Sequence, residues 1–151
     1  MEPRVNVYEV APESIKGLLA VEAYVAQSGL ERSLVHLIKV RASLINGCAF
    51  CIDMHTRDAR AAGETEQRLY GLSAWRECPF YTDRERAALE WADAVTMLTD
   101  GHVPDELFER VRRVFKEKDL VDLNMAVVAI NAWNRIAIPF RAVPGQKVPR
   151  P

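Results

Sequence analysis

Apolar residues recur three and four positions apart along nearly the whole chain between Pro12 and Pro139, and that spacing limits the folds open to it. A helix turns about every 3.6 residues, so such spacing gathers apolar side chains on one side of each segment. Strand-like alternation occurs only near the N-terminus, where Val5 and Val7 alternate with Asn6 and Tyr8. One extended segment has no partner for its backbone. Residues 1–11 therefore read as an arm and residues 12–143 as one all-α domain. The chain of 151 residues, 49% hydrophobic and 27% charged, suits a single core.

Local punctuation divides the domain into about seven helices. The first spans 12–29, with Ile15, Leu18, Leu19 and Glu22 on one face. The second runs from Ser33 and is apolar on more than one side (Leu34, Leu37, Ile38, Leu44, Ile45), the pattern of a buried helix, and it ends before Asn46 and Gly47. The third covers 48–62, with Gly63 as its left-handed terminator. The fourth covers 66–75. Thr82 and Glu85 form a capping box for the fifth, and Pro104 starts the sixth. The seventh, from Asp119, is apolar nearly all round until Pro139 ends or kinks it. Helices two and seven carry more apolar surface than one small bundle covers, which points to a homo-oligomer. Residues 144–151, with three prolines and a glycine, read as a flexible tail.

Twenty basic against twenty-one acidic residues leave a formal charge of -1, which disfavours nucleic-acid and anionic-membrane partners. No apolar run reaches the roughly 18 residues of a membrane span. The N-terminus lacks the apolar stretch of a signal peptide, so the sequence reads as cytoplasmic. Three cysteines make no disulfide framework, but two are spaced C-x-x-C, which favours redox chemistry or metal binding.

That pair is Cys48 and Cys51, with His55 four residues further on. Helical positions three apart place their α-carbons about 5 Å from each other, within the roughly 4.4 to 6.8 Å that a disulfide tolerates. His55 lies seven residues, or about 10 Å of helix rise, from Cys48, so its natural thiol partner is Cys51. A thiol becomes nucleophilic as thiolate, favoured by a helix N-terminus or a basic neighbour. Asn46 or Gly47 can cap the helix here, and His55 can take a proton from Cys51. Cys48, Cys51 and His55, with Cys78 as a fourth ligand, could alternatively hold zinc, although their compact helical spacing is less suited to it. Ile52 stands where c-type haem attachment needs histidine, which excludes that site. His36 reads by itself as a hydrogen-bonded core histidine, His102 as a loop residue, and Trp75, Trp91 and Trp133 as core or interface anchors.

Cys48, Cys51 and His55, the segments around them and the stretch holding Asn131, Trp133, Asn134 and Arg135 resemble the alkyl hydroperoxidase D (AhpD)-like branch of the carboxymuconolactone decarboxylase superfamily. The resemblance implies an AhpD-like helical bundle assembled as trimers or hexamers, with peroxidase activity and no bound cofactor or metal. It implies that Cys51 attacks a hydroperoxide, that Cys48 closes the disulfide, that His55 relays the proton, and that a separate dithiol donor reduces the pair. Twelve residues before the first cysteine the family carries a glutamate. Here that position is His36, which the resemblance places in the active site, and no carboxylate holds His55 basic. Phe50 stands between the cysteines where relatives often carry histidine. Two rivals are a non-redox decarboxylase-like enzyme and an oligomeric redox sensor without turnover.

Overall fold

The computed structural model describes residues 2–146. Among them the chain forms α1 (Val7–Val10), a 3-10 turn (Pro12–Ile15), α2 (Lys16–Gln27), α3 (Arg32–Asn46), α4 (Ala49–Ala61), α5 (Glu66–Gly71), α6 (Asp83–Thr96), α7 (Asp105–Arg112) and α8 (Glu117–Phe140), with no strand. The all-α expectation holds, with eight helices where the spacing predicts about seven.

The additional helix is α1, in the arm that reads as extended. Asn6 caps it, its Oδ1 accepting the Tyr8 N–H at 3.1 Å. A local side-chain bond of this kind satisfies a first-turn amide and outweighs weak strand alternation. The arm is fixed to the far end of the chain: the Arg4 backbone N–H donates to the Phe140 carbonyl at 2.9 Å, and Arg4 Nη1 donates to the Pro139 carbonyl at 3.1 Å. These bonds satisfy carbonyls that the last turn of α8 leaves without helical partners. At the start of the tail, the Gly145 N–H donates to Asp53 Oδ2 on α4 at 2.8 Å. The rest of the expected flexible tail, residues 147–151, lies outside the described residues.

The helix that reads as buried occupies the centre. α3 packs on α4, α6 and α8, and its Leu37, Ile38, Val40 and Ala42 are buried. Leu34 and Ile38 meet Trp91 of α6, Leu107 and Val111 of α7, and Leu123 and Val127 of α8. On another face Leu37 and Val40 meet Ala59, Leu69, Leu72, Trp75 and Leu89. A third apolar cluster joins Ala42, Phe50 and Ile130 to Cys48 and Cys51. Each fully buried large aliphatic side chain contributes about 1.5 to 3 kcal/mol against exposure. The predicted capping box is present at Thr82 and Glu85, and Gly63 has the expected positive φ of 97°.

Candidate active site

The site begins at the turn between α3 and α4. Gly47 ends α3 with φ 69° and ψ 31°, a left-handed conformation that glycine adopts without the penalty a Cβ brings. The Cys48 N–H then donates to the Ser43 carbonyl at 3.0 Å. The chain reverses there, and Ala59 near the end of α4 packs with Leu37 and Val40 of α3, so the two helices are antiparallel. The sequence suggests Asn46 or Gly47 as the cap of α4, and neither takes that place. Cys48 does so itself, its Sγ accepting the Cys51 N–H at 3.4 Å.

Both thiols are buried, with 1% of each residue exposed. The Cys51 thiol hydrogen-bonds to Cys48, so the pair is set up to share one proton. That bond lowers the Cys48 pKa to about 7; burial opposes the shift, and the Cys51 N–H and Asn134 assist it. Cys51 is pushed upward by its bond to Cys48, by burial and by the neighbouring Cys48 charge. A backbone N–H pointed at sulfur favours thiolate, and it points at Cys48.

Polar support comes from α8. Asn134, fully buried, accepts from Asn46 Nδ2 at 2.8 Å, donates to Ser43 Oγ at 3.2 Å, and acts to lower the pKa of both cysteines. Asn131 accepts from Asn46 at 2.9 Å and from Arg135 at 2.8 Å, and donates to Thr96 Oγ1 at 3.0 Å. The network ties α3, α6 and α8 to the cysteine turn. Two amides three residues apart within an apolar helix were the sequence signal for it. Their partners lie 85 and 88 residues away, and local spacing does not reveal them.

A cavity of about 550 Å³ lies against Cys51. His55, 7% exposed, shares its wall with Cys51, and Tyr8 of the arm, Trp133 and Phe140 of α8, and Phe50 and Met54 of α4 also line it. Burial raises the Tyr8 pKa, which keeps the phenol protonated. Among the described residues α3 contributes Arg32 and Lys39 to the wall, and His36 is not on it. His36 is half-buried between them in sequence, its ring nitrogens are sheltered from solvent, and it has partners within the protein, as do His55 and Asp58. A pair that the sequence reading did not bring together also faces the cavity: Lys39 Nζ and Glu22 Oε2 are 2.5 Å apart.

Cys78 stands elsewhere. Its thiol donates to the Gly71 carbonyl at 3.6 Å and packs on the cluster holding Tyr81, so it is not positioned as a fourth ligand with Cys48, Cys51 and His55. Among the described residues no group of three or more His, Cys, Asp or Glu is arranged to hold a metal ion. Trp75 and Trp91 are buried with their indole N–H groups donating to Asp93 and Asn124. His102 is exposed in a turn, at φ 58°. Among the described residues no helix is long and apolar enough to cross a membrane.

The helical bundle with a buried thiol pair at a helix start defines the class. Residues 12–94 match the carboxymuconolactone decarboxylase family, and the chain belongs to it. It is 52% identical over 138 residues to the uncharacterised protein YdfG of Bacillus subtilis (strain 168), covering 91% of this chain and 94% of that one. A crystal structure of ATU0492 from Agrobacterium tumefaciens, a protein of unknown function provisionally assigned to antioxidant defence as AhpD, superposes with TM-score 0.93. The two are 46% identical, over 97% of this chain and 100% of that one. The debrominase Bmp8 has the same fold, with TM-score 0.78 and 18% identity, over 88% of this chain and 72% of its own.

Proposed function

We propose that this chain is a thiol-dependent peroxidase of the AhpD-like type, acting as a homo-oligomer. The observation that carries this reading is the division of the pair: Cys51 faces a cavity beside His55, and Cys48 sits behind it, hydrogen-bonded and held toward thiolate. A disulfide cycle needs one sulfur that meets substrate and one that waits within reach of it.

In the resting pair Cys48 carries the charge and Cys51 the proton. Moving that proton from Cys51 along the shared hydrogen bond to Cys48, or to His55, exposes the Cys51 thiolate to the cavity. Cys51 Sγ attacks the terminal oxygen of a hydroperoxide. The O–O bond breaks, the sulfur is oxidised to sulfenic acid, and the alkoxide takes the relayed proton to leave as alcohol. The Cys48 thiolate then attacks the sulfenic sulfur and expels hydroxide, which is protonated to water, and the disulfide forms. Two electrons pass from the pair to the peroxide. An external dithiol returns them by exchange. His36, one helix behind the wall, acts as a positioning residue for His55 in this reading.

Intact mass after one peroxide pulse tests the assignment. Cys48→Ser should gain one oxygen, which a sulfenic-acid trap captures, and Cys51→Ser should gain none. Oxidation of Cys48 in the Cys51→Ser protein would reverse the roles. A wild-type disulfide that forms and is reduced without sustained peroxide consumption, across several dithiol donors, would replace the peroxidase with a redox sensor.

A further inference from the structure

The cavity is far larger than a small peroxide requires. One water occupies about 30 Å³ of liquid, against about 550 Å³ here, a volume in the range that encloses a ligand of many heavy atoms. Its wall is chiefly apolar, with Leu19, Phe50, Met54, Trp133, Ile136 and Phe140 around it. Such a wall stabilises a hydrocarbon body and gives no orientation to it.

Polar groups on the wall, among them Asn6, Tyr8 and His55, can accept or donate single hydrogen bonds, and four charged groups also reach it: Glu22, Arg32, Lys39 and Asp58. Glu22 and Lys39 neutralise each other at 2.5 Å. Asp58 is engaged within the protein. Arg32 is exposed at the cavity rim, and the described residues supply it no ion pair and no side-chain hydrogen bond. It is the first residue of α3, whose first turn holds no acidic residue, so the positive end of that helix adds to the guanidinium charge instead of offsetting it. Nothing within the helix favours a cation there.

The distance between charge and thiol follows from helix geometry. The Cys48 N–H bonds the Ser43 carbonyl, which sets both at one level. Arg32 is eleven residues back along α3, or about 16 Å at the helical rise, and Cys51 descends about 4 Å of that on antiparallel α4. Roughly 12 Å therefore separates the levels of Cys51 and Arg32, with Lys39 and His55 between them on the wall and Asp58 near the level of Arg32.

We propose that the cavity takes an amphipathic monocarboxylic acid, its carboxylate paired with Arg32 and its hydrocarbon body along the α4 and α8 wall toward Cys51. Guanidinium suits this head group because its planar donors match the two oxygens of a carboxylate. This deepens the peroxidase reading and rests on it only for the reacting group, which becomes a hydroperoxide carried on that acid. The acid site itself rests on the cavity, the unpaired cation and the spacing.

Decanoate and methyl decanoate test it, because they share the body and differ in charge. Binding is read from Trp133 fluorescence, with Trp133→Phe identifying the signal, and from protection of Cys51 against alkylation. Decanoate should bind about tenfold or more tighter than the ester, as a charge-assisted bond implies. Arg32→Ala should bring the two together, and Arg32→Lys should keep most of the preference. Equal affinities in the wild-type protein, or a preference that survives in Arg32→Ala, would overturn the proposal. Decanoate selectivity without turnover of any hydroperoxide would retain the acid site and remove the peroxidase.

Discussion

Cys48 is both the first residue to leave the α3–α4 turn and the acceptor of the first-turn amide of α4. Its pKa of about 7, against an ordinary 9.0, means that the folded pair loses its first proton near neutrality. Thiolate absorbance should therefore rise by one sulfur per chain with a midpoint near pH 7, Cys78 being distinguished by Cys78→Ser. In Cys51→Ala the donor to the Cys48 sulfur is removed, so the Cys48 midpoint should move up, whereas in Cys51→Ser a hydroxyl, a stronger donor than a thiol, keeps it low. In Cys48→Ser the negative neighbour is gone, so Cys51 should titrate lower than it does in the pair. A thiol acidified by folding adds stability as pH rises from about 7 to 9. Urea unfolding from pH 6 to 8.5 should show that gain, and Cys48→Ser should lose it. His36→Glu adds a carboxylate behind His55 and should speed alkylation of the pair at pH 7. An unchanged rate in a folded variant would make His36 a packing residue. Cys48, Cys51 and His55 could be read from the sequence because their geometry is local to one helix. The choice of Cys48 as its own cap could not, because C-x-x-C spacing does not say where the helix starts.

Among the elements, α3 was the most legible, since a run apolar on several sides has to be central. The turn after it lies beyond where the spacing places it: Gly47 ends α3 by its positive φ and does not cap α4. Gly47→Ala should cost about 1 to 2 kcal/mol in urea unfolding, because an L residue resists that conformation. It should also raise the Cys48 midpoint if the turn loosens. The Lys39–Glu22 pair leaves a sequence signal, a carboxylate on the apolar face of the first helix and a lysine within a buried one. Lys39→Met strands Glu22 on the cavity wall and should destabilise the fold by about 3 kcal/mol, at the low end for a broken buried pair because Glu22 keeps some solvent. Lys39→Met with Glu22→Leu should recover most of that loss. If the double variant is as unstable as the single one, packing of Lys39 matters more than its charge.

At the scale of the whole molecule, the bundle covers its interior and leaves an apolar stripe open on α8. Val121 and Val128 of α8 are 57% and 42% exposed and stand seven residues apart, two turns along one helix face. Beside them Tyr24 of α2, 46% exposed, donates its hydroxyl to Asp122 at 2.6 Å, which fixes its ring against the same face. Asp122 is itself buried and paired with Lys118 at 2.6 Å, so its carboxylate is already satisfied, and the exposed Lys118 and Arg135 stand at the ends of the stripe. Such a surface is stabilised by covering it with a second copy. Static light scattering should therefore give a mass that is a multiple of 17.1 kDa. The thermal midpoint should rise with protein concentration, as mass action requires when assembly stabilises the folded state. Val121→Glu with Val128→Glu places two like charges on the stripe, and should yield a folded 17.1 kDa species with an unchanged helical signal. A wild-type protein that runs as a 17.1 kDa monomer at every concentration would show that water covers this face and that the excess apolar surface of α8 has another purpose.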